Sequence, residues 1–339
     1  MEYASEAEKW LQMAATESDK LITSGRYEIY NTGHPQEDYF NMYRIDDKSD
    51  LKEAVLYVDY KTNIREHNMA AAGREAGCGF SKSFVESFLC SDGLPISLSN
   101  KYLGDETMRK ETANRDPRLK QLILTNDFPT NVTDDLKDST FVVNEDEFIT
   151  QHCFTGYRPI KGFNPIYSQA LYMKSSFDGI AYRYAETLLI NAEAKAELNT
   201  ITNADLDRTV NQLRDRVGMP HLTVNVGFTD PKWPDWGYSL SPVLQEIRRE
   251  RCIELAGEGF RFNDLKRWKA GKLLNNVLTY VGKRKPDGNL AIVYPNYTNP
   301  DLSYQAGKSR TWEDKMYLYP IPTGELQRNP QLLPQNPGW

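Results

Sequence analysis

The spacing of apolar and polar positions marks out a helix at the start of the chain and two helical hairpins in its second half. Residues 3–24 place Tyr3, Ala7, Trp10, Leu11, Ala14, Ala15, Leu21 and Ile22 near a 3.6-residue period, and Gly25 follows as a stop. The strongest periodic signal is IAYRYAETLLINAEAKAELN, residues 180–199. Ala185, Leu188, Leu189, Ala192 and Ala196 form one stripe there, and its small side chains let another helix approach closely. Asn203 reads as the N-cap of a second helix over 204–217, ended by Gly218 and Pro220. This hairpin, residues 180–217, is close to the roughly 34-residue tetratricopeptide repeat. The second hairpin opens at Ser241-Pro242, a cap followed by proline at the first helical position. It continues through SPVLQEIRRERCIELAGEG and FRFNDLKRWKAG.

Elsewhere the pattern predicts loops and short elements. Ala54 to Tyr60 reads as a strand, and residues 61–80, with Gly73, Gly77 and Gly79, as irregular chain. Ser81 to Cys90 reads as a short helix followed by an Asp92-Gly93 turn. The apolar run Leu119 to Leu124 reads as a strand, and 125–179 as loop with aromatic islands at Phe154, Tyr157, Phe163 and Tyr167. Residues 272–339 are rich in proline and tyrosine and read as an irregular wrap without its own core. The fold class is therefore mainly α: tetratricopeptide-like hairpins, a large loop-rich body and few short strands. Two hairpins are fewer than the roughly three repeats of a free-standing solenoid. They must pack on the loop regions or on neighbours upstream.

Charge and composition narrow the function. Among 339 residues, 41 Lys and Arg stand against 47 Asp and Glu, a formal net charge of −6. A broad nucleic-acid surface is usually basic, so that class recedes. No apolar run approaches the roughly 18–20 residues of a membrane helix. The opening MEYASEAEKW has no basic or apolar leader region, which fits a cytoplasmic chain or one whose export segment has been removed. Cys78, Cys90, Cys153 and Cys252 lack metal spacing, and their pairing is open. His34, His67, His152 and His221 form no HExxH, and no GxGxxG, P-loop or GxSxG motif occurs. The reading is of no cofactor, no metal and no catalytic residue.

Aromatic residues are plentiful: 20 Tyr, 13 Phe and 6 Trp. Trp233, Trp236 and Tyr238 sit in a proline-stiffened loop with Asp230 and Asp235. Such rings either stack on the apolar faces of sugars, with the carboxylates taking hydroxyls, or pin the loop onto the helices. Tyr60, Asn63, Arg65, His67 and Asn68 offer hydroxyl partners in a second loop, and Tyr102 in a third; the plain alternative is solvated loop. Tyr294, Tyr297 and Trp312 read as packing. Glu250, Glu254, Glu258 and Asp264 lie among Arg248, Arg249, Arg251, Arg261 and Arg267. Catalytic acids need raised pKa values, and so many arginines have the opposite effect. This constellation reads as an ion-pair network, and Arg183, Glu186 and Glu193 either join it or face solvent.

The segment EIRRERCIELAGEGFRFNDLKRW, residues 246–268, resembles the signature of the SusD/RagB family. Glu250-Arg251, Glu254-Leu255-Ala256, Glu258-Gly259, Arg261, Asp264-Leu265 and Arg267-Trp268 carry it, with departures at Cys252 and Gly257. Four further segments agree in order: Asp92-Gly93 with Asn114 to Arg118, Thr155-Gly156-Tyr157 with Lys161, Tyr182 to Ala194, and Tyr319 to Trp339. The resemblance covers about residues 80–339. It implies a non-catalytic, lipid-anchored protein of the bacterial outer-membrane surface that captures oligosaccharides, or in some members peptides, for a SusC-like TonB-dependent transporter. It also implies that residues 1–60 are the remnant of an N-terminal half and 61–339 the C-terminal domain, with signal and lipid-bearing cysteine absent from this chain. The alternatives are an all-α glycoside hydrolase or lyase, whose paired carboxylates would flank a cleft, and a helical-repeat scaffold for protein or peptide partners.

Overall fold

A computed structural model describes residues 4–69, 79–150, 153–292 and 311–339. Tyr3, Gly73, Gly77, Cys78, His152, Tyr294 and Tyr297 lie outside the described residues. Helix α1 (Ala4–Thr23) ends where Gly25 takes φ +64°. Short elements follow: α2 (Asp38–Asn41), β1 (Ala54–Val58), α3 (Lys82–Ser87), α4 (Met108–Thr112) and α5 (Arg118–Leu122). Next come a small hairpin, β2 (Pro129–Val132) with β3 (Ser139–Phe141), and then β4 (Gly179–Arg183). The helical part comprises α6 (Tyr184–Glu197), α7 (Asn203–Asp207), α8 (Val210–Arg216), α9 (Pro242–Glu254) and α10 (Arg261–Arg267). A hairpin of β5 (Val281–Arg284) and β6 (Leu290–Ile292), then α11 (Thr323–Arg328), complete the described chain.

Both helical hairpins form, and α1 adds a further helix against α6. The joint is polar as well as apolar. Asn191, fully buried on α6, donates from Nδ2 to Ala15 O at 3.1 Å and to Ser18 Oγ at 3.0 Å. Ala185, Leu188, Leu189, Ala192 and Ala196 are buried as the stripe predicts, in one core with Leu206, Leu213, Leu244 and Ile247. Ser241 caps α9 with Pro242 at its first turn. Between α9 and α10 the chain reverses through Gly257 (φ +76°) and Gly259 (φ +86°), a left-handed conformation that glycine adopts without penalty.

Four local expectations are corrected. Leu119–Leu124 is not a strand: residues 118–122 are helical. Asp116 accepts from the Arg118 N–H at 2.9 Å and Pro117 sits in the helical region, so the turn chemistry decides what a short apolar run leaves ambiguous. The helix expected from Ile180 begins at Tyr184, because 179–183 pair antiparallel with β1, Ala54 opposite Arg183 and Val58 opposite Gly179. The helix over 204–217 breaks near Thr209, whose hydroxyl bonds Asp205 O at 2.5 Å. Its cap is Thr202, in a reciprocal capping box with Asp205, while Asn203 accepts from Val224 N. The C-terminal wrap contains the β5–β6 hairpin, α11 and a clamp in which Gln335 bonds both the N–H and the carbonyl of Ile321, each at 2.8 Å.

A second core fills the loop-rich body with Tyr39, Met42, Phe88, Leu119, Leu122, Phe148, Tyr157 and Phe163, and α9 enters it through Ile253. Helix α9 is thus shared by both cores, and the charge constellation lies along that seam. Fully buried Glu254 accepts from Arg216 and Arg183, each at 2.6 Å, and from Arg118 at 3.0 Å. Glu250 takes Arg118 and Arg214. Glu53, just before β1, takes Arg183 and Arg216 at 2.9 and 3.2 Å. Glu258 takes Arg183 at 2.7 Å and Lys161 at 2.6 Å. Asp264 binds Arg251 and Arg267, and Glu193 binds Arg267 and the Trp268 indole. Burial alone would raise the Glu254 carboxyl, but Arg216, Arg183 and Arg118 overcome this and hold it well below the ordinary range. Arg183 and Glu193 join the expected network, whereas among the described residues Glu186 and Arg261 form no ion pair. The network's ties from Glu53 to Arg183 and Arg216, with the β1–β4 pairing, knit residues 1–60 to the chain beyond.

Three outcomes test this account. Glu254→Gln leaves three buried guanidiniums short of charge and is expected to lower unfolding stability by about 3–5 kcal/mol. Lys52→Ala, at an exposed pair with Glu28, leaves the urea midpoint where it was. Burial pushes Glu258 up, but Arg183 and Lys161 draw it down to about 2 from an ordinary 4.5. A depressed folded value contributes stability that is present above about pH 4.5 and is lost as pH falls toward about 2. Urea titrations across that window are expected to show a shallower acid limb for Glu258→Gln than for the parent chain.

Candidate functional site: an aromatic cleft against helix α9

A cleft of about 1130 Å³ opens between α3, the tryptophan loop at 230–236, α9 and the chain that follows it at 255–262 and 272–279. Local chemistry sets each wall. Ser81 caps α3 by accepting from the Phe84 N–H, and the Phe80 and Phe84 rings stack at 4.4 Å. Opposite, Asp230 anchors the loop: it accepts from Lys232 N at 2.8 Å, Ser97 Oγ at 2.9 Å and Arg249 at 2.7 Å. The Trp233 indole donates to Glu246 at 2.7 Å and the Trp236 indole to Gln245 at 2.6 Å, both acceptors on α9. The polar handles of both tryptophans are therefore spent on α9, so the rings are held in place before any ligand arrives.

The structure separates the sequence-selected residues into three places. Trp233, Asp235 and Trp236 line the cleft. Trp233 is half-buried and Asp235 exposed. Trp236 is 6% exposed, edge-on to Trp268 at 5.5 Å and 4.9 Å from Arg248. It supports the cleft wall and pins the loop. Tyr238, though exposed, points its hydroxyl inward to Trp268 O at 2.7 Å and accepts from Arg248 at 2.9 Å. It too serves the pinning role.

Tyr60, Asn63, Arg65, His67 and Asn68 gather elsewhere, against residues 173–177. His67 bridges Tyr60 and Phe177, at 4.4 and 4.6 Å between ring centroids. Its Nδ1 accepts from Met69 N at 3.0 Å, so Nε2 carries the proton given to Phe177 O at 2.8 Å. Asn68 accepts from Met173 N, Asn63 donates from its backbone to Glu66, and Arg65 lies 4.9 Å over Tyr60. The loop is docked, with Asn63 and Arg65 still exposed. Tyr102 stands apart from both groups, its ring 5.3 Å from the buried Arg115 guanidinium.

Sequence patterns did not single out Phe80, Phe84, Phe262 or Lys272, which also line the cleft. The aromatic side of α3 was legible only as a short helix. Nothing in 272–279 signals a cleft wall. Two cleft carboxylates are committed, Asp230 to Arg249 and Asp264 to Arg251 and Arg267. Among the described residues, no three His, Cys, Asp or Glu side chains gather as a metal site, and no helix is long and apolar enough to cross a membrane. Cys90, Cys153 and Cys252 are free thiols.

Helical hairpins seamed by buried arginine–carboxylate pairs to a loop-rich body define a tetratricopeptide-containing architecture that known proteins share. A SusD-like protein of Bacteroides fragilis superposes with a TM-score of 0.65 at 25% identity, covering 99% of this chain and 64% of that one. A SusD-like carbohydrate-binding protein of the same organism gives 0.66 at 23%, covering 96% and 62%. Surface glycan-binding protein A of Bacteroides fluxus gives 0.53 at 18%, covering 99% and 60%. The SusD-like protein P2 of Formosa agariphila is 33% identical over 166 residues, 49% of this chain and 27% of that protein. The SusD family profile matches residues 23–339, and the chain belongs to that family. It spans less than two thirds of the length of these relatives.

Thermal unfolding separates the two cleft tryptophans. Trp236→Ala empties a packed position and is expected to destabilise by about 3–5 kcal/mol. Trp233→Ala, half-exposed on the cleft, shifts the midpoint by clearly less.

Proposed function

We propose that this chain captures oligosaccharide in the aromatic cleft and does not cleave it. The observation that carries the reading is the preorganised wall. Trp233 is fixed by its own indole bond, and it lines one cleft with the Phe80 and Phe84 rings and with the exposed polar groups of Asp235, Lys272 and Asn276. Sugar rings present apolar C–H faces to such side chains and hydroxyls to such polar groups. Family membership and the carbohydrate- and glycan-binding relatives support this class of ligand. Affinity at one site would be modest, because hydroxyls give up good hydrogen bonds to water on binding.

The hydrolase alternative loses ground at the carboxylates. Glycoside hydrolysis needs two carboxyl groups free to meet the scissile bond, and Asp230 and Asp264 are engaged in ion pairs at 2.7 to 2.9 Å. A peptide ligand remains the secondary reading, since an aromatic cleft also accommodates side chains. In the whole protein the cleft would work at the outer-membrane surface, held by a lipid anchor, passing its cargo to a SusC-like TonB-dependent transporter.

The test is a calorimetric screen of the purified chain against polysaccharides, oligosaccharides and peptides, with released reducing ends measured in the same samples. Binding of one glycan class without release is expected, and Trp233→Ala is expected to weaken it roughly tenfold or more. Release of reducing sugar would overturn the capture reading, and peptide-only binding would replace the ligand class.

A further inference from the structure

The cleft carries an imbalance of charge that the capture of neutral sugar does not use. Six cations line it: Lys232, Arg248, Arg249, Arg251, Arg261 and Lys272. Four carboxylates do so: Glu86, Asp230, Asp235 and Asp264. Most are paired. Lys232 stands 3.6 Å from Glu86, Arg248 takes Glu197, Arg249 takes Asp230 and Glu246, and Arg251 takes Asp264. Asp235 is occupied with the Gly237 N–H of its own loop. Arg261 and Lys272 are different. Both are exposed, and among the described residues neither has a carboxylate within ion-pair distance. Among the described residues Arg261 has only the Trp268 ring, 5.9 Å away.

A second, independent feature lies at the same end. Arg251, 5% exposed, lines the cleft 5.4 Å from the Phe260 ring. Its Nε donates to Asp264 at 2.9 Å, while its Nη1 has no hydrogen-bond partner. A buried guanidinium N–H without an acceptor is costly unless something supplies one. Phe260 and Arg261 are consecutive, which puts Arg261 at the end of the cleft where the orphaned donor lies, beside Phe260 and Phe262. The Phe262 ring is 6.2 Å from Trp312, against which Gly271 also packs, so the segment carrying Lys272 reaches the same end. The chain as a whole is acidic, at −6, so this corner is a local exception to the protein's charge.

We infer that the corner formed by Arg251, Arg261 and Lys272 takes an anionic group of the captured glycan, so that the cleft selects acidic oligosaccharides over neutral ones. The inference rests on the oligosaccharide reading of the cleft. The group is an oxyanion carried on a sugar: the carboxylate of a uronic acid or a sulfate half-ester. Arginine binds either through paired N–H donors, and charge-assisted bonds of this kind are the stronger ones. The aromatic walls would hold the ring that bears it. Long-range attraction plays little part for a protein of this net charge. Selection is local, and it weakens as salt screens the exposed cations.

Calorimetry with matched probes tests this. Oligogalacturonate is compared with its methyl ester, and a sulfated galactan oligosaccharide with its desulfated form. The expected result is roughly tenfold tighter binding of one acid form than of its neutral counterpart. That preference is expected to shrink in the Arg261→Gln/Lys272→Gln double variant and with added salt. Both substitutions are at exposed positions, and a thermal midpoint unchanged from the parent confirms folding. Preference for the carboxylate pair assigns a uronate, and for the sulfate pair a sulfate ester. Equal binding of acid and neutral probes, or an acid preference that survives in the double variant, overturns the charge selection while leaving capture intact. Trp233→Ala reports on capture itself and is expected to weaken both forms. If none of these probes and no neutral glycan binds, the capture reading fails and the selection falls with it.

Discussion

Glu254 is a carboxylate without access to water, and it holds three arginines that arrive from three separate stretches of chain. Arg118 comes from the short helix of the loop-rich body, Arg183 from the end of β4, and Arg216 from the last turn of α8. Removing such charges from water carries a desolvation penalty of several kcal/mol per ion, offset only when nearly every lone pair and donor is matched. Glu250, Glu53 and Glu258 supply that matching by sharing the same guanidiniums. The network therefore has a registry role. Helix α9 and the turn after it have to lie where Glu250, Glu254 and Glu258 meet their partners, and the loop body has to lie where Arg118 and Lys161 reach them.

The placement of the cleft follows from this constraint. One face of α9 is fixed by the network, and the residues off that face, Gln245, Glu246, Arg248, Arg249, Arg251 and Cys252, turn toward the tryptophan loop or the cleft. The loop is then pinned twice by indole N–H bonds to α9, and α3 closes the other side. The family signature in 246–268 is thus mostly architecture. Its carboxylates hold arginines, and its glycines turn the chain between α9 and α10. Arg261 and Phe262, exposed on the cleft, lie within that signature, but Trp233, Phe84 and Lys272 lie outside it. Selectivity can vary there without disturbing the seam, as is usual for loops carried on a rigid scaffold.

Much of this was legible in the order of residues. The 3.6-residue stripe of α6, the proline-capped start of α9 and the glycine stop after α1 specify helices by local rules, and those helices are present. The arginine-rich surroundings were enough to argue against proton chemistry at Glu254, where three guanidiniums outweigh burial and hold the carboxyl low. The strand expected at 119–124 failed for a local reason too. An apolar run of six residues does not distinguish strand from helix, and the Asp116 side chain bonding the Arg118 N–H settles it. The start of α6 failed for a distant reason: residues 180–183 keep extended backbone because β1, more than a hundred positions earlier, offers its edge.

Candidate binding residues show the limit most clearly. Composition and stiffness pick out Trp233, Trp236 and Tyr238 alike, yet the fold gives them different work. Trp236 goes edge-on against Trp268, Tyr238 turns its hydroxyl to a backbone carbonyl, and Trp233 keeps part of a face on the cleft. The sequence by itself determined the helical hairpins, the family and the structural character of the charged segment, since each depends on neighbours within a few residues or on motifs in fixed order. Only the tertiary structure decided which carboxylate meets which arginine, which rings remain exposed, and that Arg251, Arg261 and Lys272 stand together with cationic donors to spare. Those facts depend on distances between segments far apart in the chain, which folding fixes and local pattern does not encode.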